Sequence, residues 1–170
     1  VGLVGLDHRD GRLKRALEPE LDKYDYVLID CPPSLSMLTL NALCAADGVI
    51  IPMQCEYYAL EGLTDLVGSV KRVRAEKNKN LRIVALLRVM FDTRITLQQQ
   101  VSTQLEEHFG DKVFKTIIPR NVRLAEAPSY GLPGVVYDRP MAHMAANARI
   151  FDNLREVLQS ADCENPDSMV

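Results

Sequence analysis

No apolar run in this sequence approaches the roughly 20 residues that span a bilayer, and no signal peptide is visible, so the expectation is a cytoplasmic protein with no membrane partner. The four cysteines (Cys31, Cys44, Cys55 and Cys163) show no C-x-x-C spacing and lie in or beside apolar segments. They read as reduced, mostly buried thiols and exclude a metal-cluster or redox role. His8, His108 and His143 are too scattered to make a metal site. Excess positive charge is missing too. A net charge of -3 excludes a globally basic nucleic-acid binder and confines any DNA contact to a local patch of arginines. There are neither internal repeats nor low-complexity linkers. A chain of 170 residues then suits one domain, able to bury roughly 70% of its unfolded surface.

Within that frame, apolar runs of strand length recur at 26–29, 48–53, 81–90, 113–118 and 134–137, with helix-like segments or loops between them. Continuous rather than alternating runs imply strands buried on both faces, hence an α/β fold with a mostly parallel sheet and helices on each side. Ser34 to Ala46 reads as a helix capped by Ser34 or Ser36. Leu60, Leu63, Leu66, Val67, Val70 and Val73 make one apolar helical face, with Lys71, Arg72 and Arg74 opposite. A third helix is expected from Thr96 to Phe109, stopped by Gly110, and a last one over 143–159. Leu13, Ala16, Leu17 and Leu21 share a face that Pro19 should kink or end. The reading is a single α/β domain over 1–160 and a disordered acidic tail over 161–170.

The segment Tyr26-Val27-Leu28-Ile29-Asp30-Cys31-Pro32-Pro33-Ser34 carries the most chemistry. An ionised carboxylate is expensive to bury unless it is paired or holds a metal, so an apolar run leading into Asp30 reads as a Walker B strand delivering one carboxylate to a magnesium-nucleotide site. The carboxyl end of a parallel strand is where open α/β sheets bind ligands. An Asp that merely caps the next helix is the plainer alternative.

Together with the stretches 54–63 (QCEYYALEGL) and 117–131 (IIPRNVRLAEAPSYG), this nonapeptide resembles the ParA/Soj family, the deviant-Walker ATPases that partition chromosomes and plasmids. The resemblance runs from about Arg12 to Asp138. The family's glycine-rich, lysine-bearing phosphate loop has no counterpart in these residues, so the chain looks like the C-terminal part of such a protein and is expected to be inactive alone. The resemblance implies ATP and Mg2+ as cofactors of the intact protein. Asp30 would hold the metal directly or through water, Pro119 would pack near the adenine, and Asn121 would read its edge. Pro32 and Pro33 would form a switch sensing the γ-phosphate. Asn121 has a simpler possible duty, capping a short helix over Val122–Glu126.

Arg94 and Arg123 match positions where the family uses basic residues for sequence-independent DNA binding by an ATP-bound homodimer. Each is placed in a loop near a strand end, where a guanidinium can reach a phosphate without being spent on a buried ion pair. Two such residues from each half of a dimer imply about four phosphates and a slope of log affinity against log salt of roughly -3.6. A ParB/Spo0J-type centromere-binding protein is the implied partner, and nucleoid-associated cytoplasm the implied location. Two departures stand out: a bulky Arg88 where a small polar residue is expected beside the nucleotide pocket, and a segment 139–144 less basic than the family's. The rival readings are a truncated, non-catalytic module binding DNA or a partner, and a MinD-like membrane-positioning ATPase, which the acidic Asp162, Glu164 and Asp167 disfavour.

Overall fold

A computed structural model describes residues 7–32 and 34–137. Its elements run α1 (Arg12–Leu17), α2 (Met37–Ala45), β1 (Gly48–Met53), α3 (Tyr57–Glu76), β2 (Arg82–Phe91), α4 (Thr96–Phe109), β3 (Val113–Pro119), α5 (Val122–Glu126) and α6 (Gly134–Tyr137), with short 3-10 turns between some of them. The strands form one sheet in the order β1-β2-β3. β2 runs parallel to β3, with Leu86 opposite Val113, Arg88 opposite Ile117 and Phe91 opposite Pro119. The expected α/β class with a parallel sheet is what the chain adopts.

Local chemistry explains the elements. Ser36 caps α2, its hydroxyl accepting the Thr39 N–H at 3.4 Å, while the Thr39 hydroxyl donates to the Ser34 carbonyl at 2.6 Å. On α3, Leu63, Val70 and Val73 are buried and Lys71 and Arg72 exposed, as the helical spacing predicts. α4 ends where Gly110 takes a φ of +50°, a conformation that a side chain resists. Pro19 stands in the first turn of the 3-10 segment Glu18–Lys23 that takes over from α1. The run Val84–Arg88 of β2 is buried without alternation, as a strand covered on both faces must be.

Three expectations fail. Tyr26–Ile29 forms no strand, and Tyr26, Val27 and Leu28 are exposed, Leu28 by 72%. An extended segment becomes a strand only when a neighbour takes its backbone hydrogen bonds, and among the described residues none does. Gly134–Tyr137 is a helical turn, not a strand, because the Pro133 carbonyl accepts the N–H groups of Val136 and Tyr137. Arg123, expected in a loop, lies in the first turn of α5, which begins directly after the Asn121 cap. The described cysteines are mostly buried as expected, Cys44 and Cys55 buried and Cys31 exposed. The helix expected over 143–159, the 161–170 tail, Cys163 and the 139–144 segment lie outside the described residues.

The described chain divides into two compact units, residues 7–49 with 65–83, and 50–64 with 84–137. The first is centred on Leu43, Cys44, Val70, Val73 and Leu81. Its buried lock is Asn78, whose amide nitrogen donates to the carbonyls of Leu43 (3.0 Å) and Ala46 (2.7 Å). Those carbonyls belong to the last turn and cap of α2, so the side chain satisfies groups the helix itself leaves open. The second unit is centred on Val84, Ala85, Leu87 and Phe114.

Candidate functional site

In the first unit Asp30 lies at the end of the extended, exposed segment and lines a cleft of about 480 Å³ with Arg12, Leu13, Pro32 and Asn41. Asn41 fixes one wall. It is buried, its amide nitrogen donates to the Arg9 (2.7 Å) and Met37 (2.9 Å) carbonyls, and its Oδ1 accepts the Leu13 N–H at 3.3 Å. That asparagine stitches α1 to α2 and was not legible in the sequence, where a helical Asn carries no signal of a long-range partner. Cys31 shares the cleft, but desolvation first and the Asp30 charge second push its thiol pKa up, so it is no activated nucleophile. Asp30 is exposed, and among the described residues no cluster of three or more His, Cys, Asp or Glu could hold a metal. A lone carboxylate still suits magnesium, which takes one or two carboxylates and fills its shell with water and phosphate oxygens. Of the groups around that cleft, Asp30 is the one that would hold it.

The other candidate residues fall in the second unit, around the carboxyl ends of β2 and β3. Pro119 closes β3 half-buried, and the next N–H, of Arg120, donates to the Phe91 carbonyl at 3.1 Å. β2 is irregular here: the register shifts between Arg88 and Phe91, and Met90 takes a φ of +52°, uncommon for any residue but glycine. Asn121 caps α5, its Oδ1 accepting the Arg123 N–H at 2.8 Å, which realises the simpler of its two expected duties.

Arg94 and Arg123 both belong to this unit and meet different surroundings. The Arg94 guanidinium is held from one edge by Asp92, Nε donating to Oδ1 at 2.9 Å and Nη2 to Oδ2 at 2.7 Å. Hydrogen bonds from Arg94, more than its charge, hold the Asp92 carboxyl down at about 2 and raise the Arg94 pKa in turn. Arg123 instead has its Cζ 6.0 Å from the centre of the Tyr137 ring, which stacks on Tyr130 at 4.8 Å. Among the described residues no carboxylate forms an ion pair with it. Tyr137 donates to Glu126 at 3.3 Å, and its own pKa is raised, chiefly by desolvation.

Arg88, expected to crowd a nucleotide pocket, is buried against α4 and β3. One Nη donates to the Ser102 hydroxyl at 2.7 Å and pairs with Glu106, while the other donates to the Phe114 carbonyl at 2.8 Å. It fastens α4 to β2 and β3.

A family model described as an AAA domain matches residues 1–83. The chain is 54% identical over 138 residues to the sporulation initiation inhibitor protein Soj of Bacillus subtilis, covering 81% of this chain and 54% of that one. It is 51% identical over 162 residues to the chromosome-partitioning ATPase Soj of Treponema pallidum, covering 95% of this chain and 62% of that one. The chain is strongly homologous to Soj/ParA chromosome-partitioning ATPases. It spans little more than half the length of these relatives. Among solved structures, the cobyrinic acid a,c-diamide synthase of Mycobacterium smegmatis with bound ATP analog and magnesium superposes with a TM-score of 0.64 at 32% identity, covering 77% of this chain and 59% of that one. That likeness accords with the three-stranded parallel α/β core. Among the described residues, no helix is long and apolar enough to cross a membrane.

Proposed function

We propose that the chain is part of a chromosome- or plasmid-partitioning ATPase of ParA/Soj type, in which ATP and magnesium close a homodimer that binds DNA without sequence preference. A ParB-type centromere-binding partner would trigger hydrolysis and release, in nucleoid-associated cytoplasm. The observation that carries this reading is 51% identity to a chromosome-partitioning ATPase across 95% of the chain. Asp30 would act on magnesium from its cleft. Pro119 would pack near the adenine and Asn121 would offer its amide to the base edge. Arg94 and Arg123 would meet phosphates, which fix a protein on DNA without reading its sequence. Support for the last point is their exposed position in an acidic protein, Arg94 in the turn after β2 and Arg123 in the first turn of α5, since only local positive charge can attract a polyanion there.

The test is a turnover and DNA-binding assay on the full-length protein. Magnesium-dependent ATP hydrolysis, with retention on an arbitrary DNA duplex in ATP but not ADP, is the expected result. Hydrolysis without any ATP-dependent DNA binding would remove the partitioning reading.

A further inference from the structure

We propose that Asp92 masks Arg94: its carboxylate occupies one edge of the guanidinium, so the phosphate-binding strength of this loop is set by the Asp92–Arg94 pair rather than by Arg94 alone. This rests on the DNA-binding reading above and adds a residue that tunes it. Asp92 is anchored without help from the Arg94 side chain, through its main chain and one bond to its Oδ1. The Asp92 N–H donates to the buried Gln98 Oε1 at 2.7 Å, its carbonyl accepts the Ile95 N–H at 3.1 Å, and its Oδ1 accepts the Arg94 N–H at 3.0 Å. The arginine has no such support, its side chain being 87% exposed. The loop therefore holds the carboxylate still and brings the guanidinium to it.

An arginine presents five N–H donors in a planar fork, and Asp92 takes the Nε edge with one Nη2 hydrogen. The Nη1 end of the fork still faces solvent, but a phosphate arriving there meets a cation whose charge is already balanced alongside. It also meets the negative charge of Asp92 itself. Such a contact releases few counterions, and counterion release is the main source of affinity for a polyanion. The pair is permanent over working pH, because a carboxyl held at about 2 stays ionised. Arg123 rests on an aromatic ring, and among the described residues no carboxylate pairs with it as Asp92 does with Arg94.

The experiment measures binding of the full-length protein, with ATP and magnesium, to a fluorescent duplex of arbitrary sequence from about 50 to 200 mM salt. Asp92→Asn keeps the oxygen that accepts the Arg94 N–H and removes the charge. It should tighten binding roughly fivefold and steepen the salt slope by about 1.8 per dimer, one phosphate per protomer. Asp92→Ser, which also favours the turn, should act in the same direction and guards against a folding effect peculiar to asparagine. In an Arg94→Ala background, Asp92→Asn should no longer steepen the slope, because no unmasked cation is left to take a phosphate. If both Asp92 variants weaken binding, or leave the slope unchanged while Arg123→Ala flattens it, Asp92 orients Arg94 rather than masking it and the proposal fails. If wild type, Arg123→Ala and Asp92→Asn alike show no salt-dependent binding, the DNA reading fails and the mask with it.

Discussion

The cleft around Asp30 and the arginines beyond the ends of β2 and β3 treat charge in opposite ways. In the first unit an exposed carboxylate faces a cleft whose wall is set by a buried asparagine, and among the described residues no cation forms a salt bridge with it. In the second unit the ionic groups are fastened: Asp92 to Arg94 and Arg88 to Glu106, with Arg123 over Tyr137. A carboxylate left open suits a metal that arrives with its nucleotide, whereas tethered arginines suit graded, reversible contact with a polyanion. The proposed roles divide between the two regions, and substitutions in one or the other should separate them.

The largest expected effect is at the cleft. Asp30→Ala in the full-length protein should cut magnesium-dependent turnover about a hundredfold or more, since the carboxylate would act on the metal. It should leave the circular dichroism spectrum intact, because the side chain is exposed and supports no packing. An unfolded mutant would make Asp30 a structural residue and blur the contrast between the regions.

The next largest belongs to the second unit's scaffold. Arg88→Ala strips Ser102, Glu106 and the Phe114 carbonyl of a shared donor and opens a void beneath α4, which should cost about 3 kcal/mol in urea titrations. Arg88→Met refills the space but still leaves the Ser102 hydroxyl and the Phe114 carbonyl without that donor, and should cost less than Arg88→Ala, about 2 kcal/mol. Equal losses in the two would mean that the charge itself, not the filled volume, holds α4.

Smaller effects separate the two arginines. Arg123→Ala should flatten the salt slope of DNA binding by about 1.8 per dimer. Arg94→Ala should lower affinity uniformly across sequences while changing that slope much less, because the charge it removes was already balanced and the Asp92 left behind repels phosphate. Identical slopes in the two mutants would erase the difference their surroundings imply.

How far could these contrasts be read from residues alone? β1, β2, β3, α2 and α4 were legible because buried strands and helices leave apolar patterns, and Ser36 and Gly110 mark the start of α2 and the end of α4. Tyr26–Ile29 carries the same apolar signal as β2 yet is exposed, since composition reports what a segment can bury and not which neighbour is there to pair with it. Asp30, Arg94 and Arg123 were picked out through motifs. Asp92 was not, although it stands two residues from Arg94. An Asp before a turn looks like ordinary turn chemistry, and only the side-chain geometry reveals which cation it holds. Asn41, Asn78 and the burial of Arg88 were hidden for the same reason: each is defined by partners distant in sequence.

The smallest and most local expectation concerns Asp92 itself. A carboxyl NMR titration should place its midpoint near 2, below the ordinary 3.8, and Arg94→Ala should return it toward that value. A depressed folded-state pKa means the pair's contribution to stability is present above the ordinary value and is lost as pH falls toward about 2. Unchanged titration in Arg94→Ala would show that the backbone, not the guanidinium, holds the carboxylate ionised.

Fluorescence anisotropy of the full-length protein measures the proposed ATP-dependent, sequence-independent DNA binding through Arg94 and Arg123. Two duplexes of unrelated sequence are titrated in ATP and in ADP at several salt concentrations. The account predicts equal affinity for the two duplexes in ATP, little binding in ADP, and a log–log salt slope near -1.8, short of the roughly -3.6 that four unmasked arginines would give. Binding that prefers one sequence, or that is indifferent to both nucleotide and salt, would contradict it.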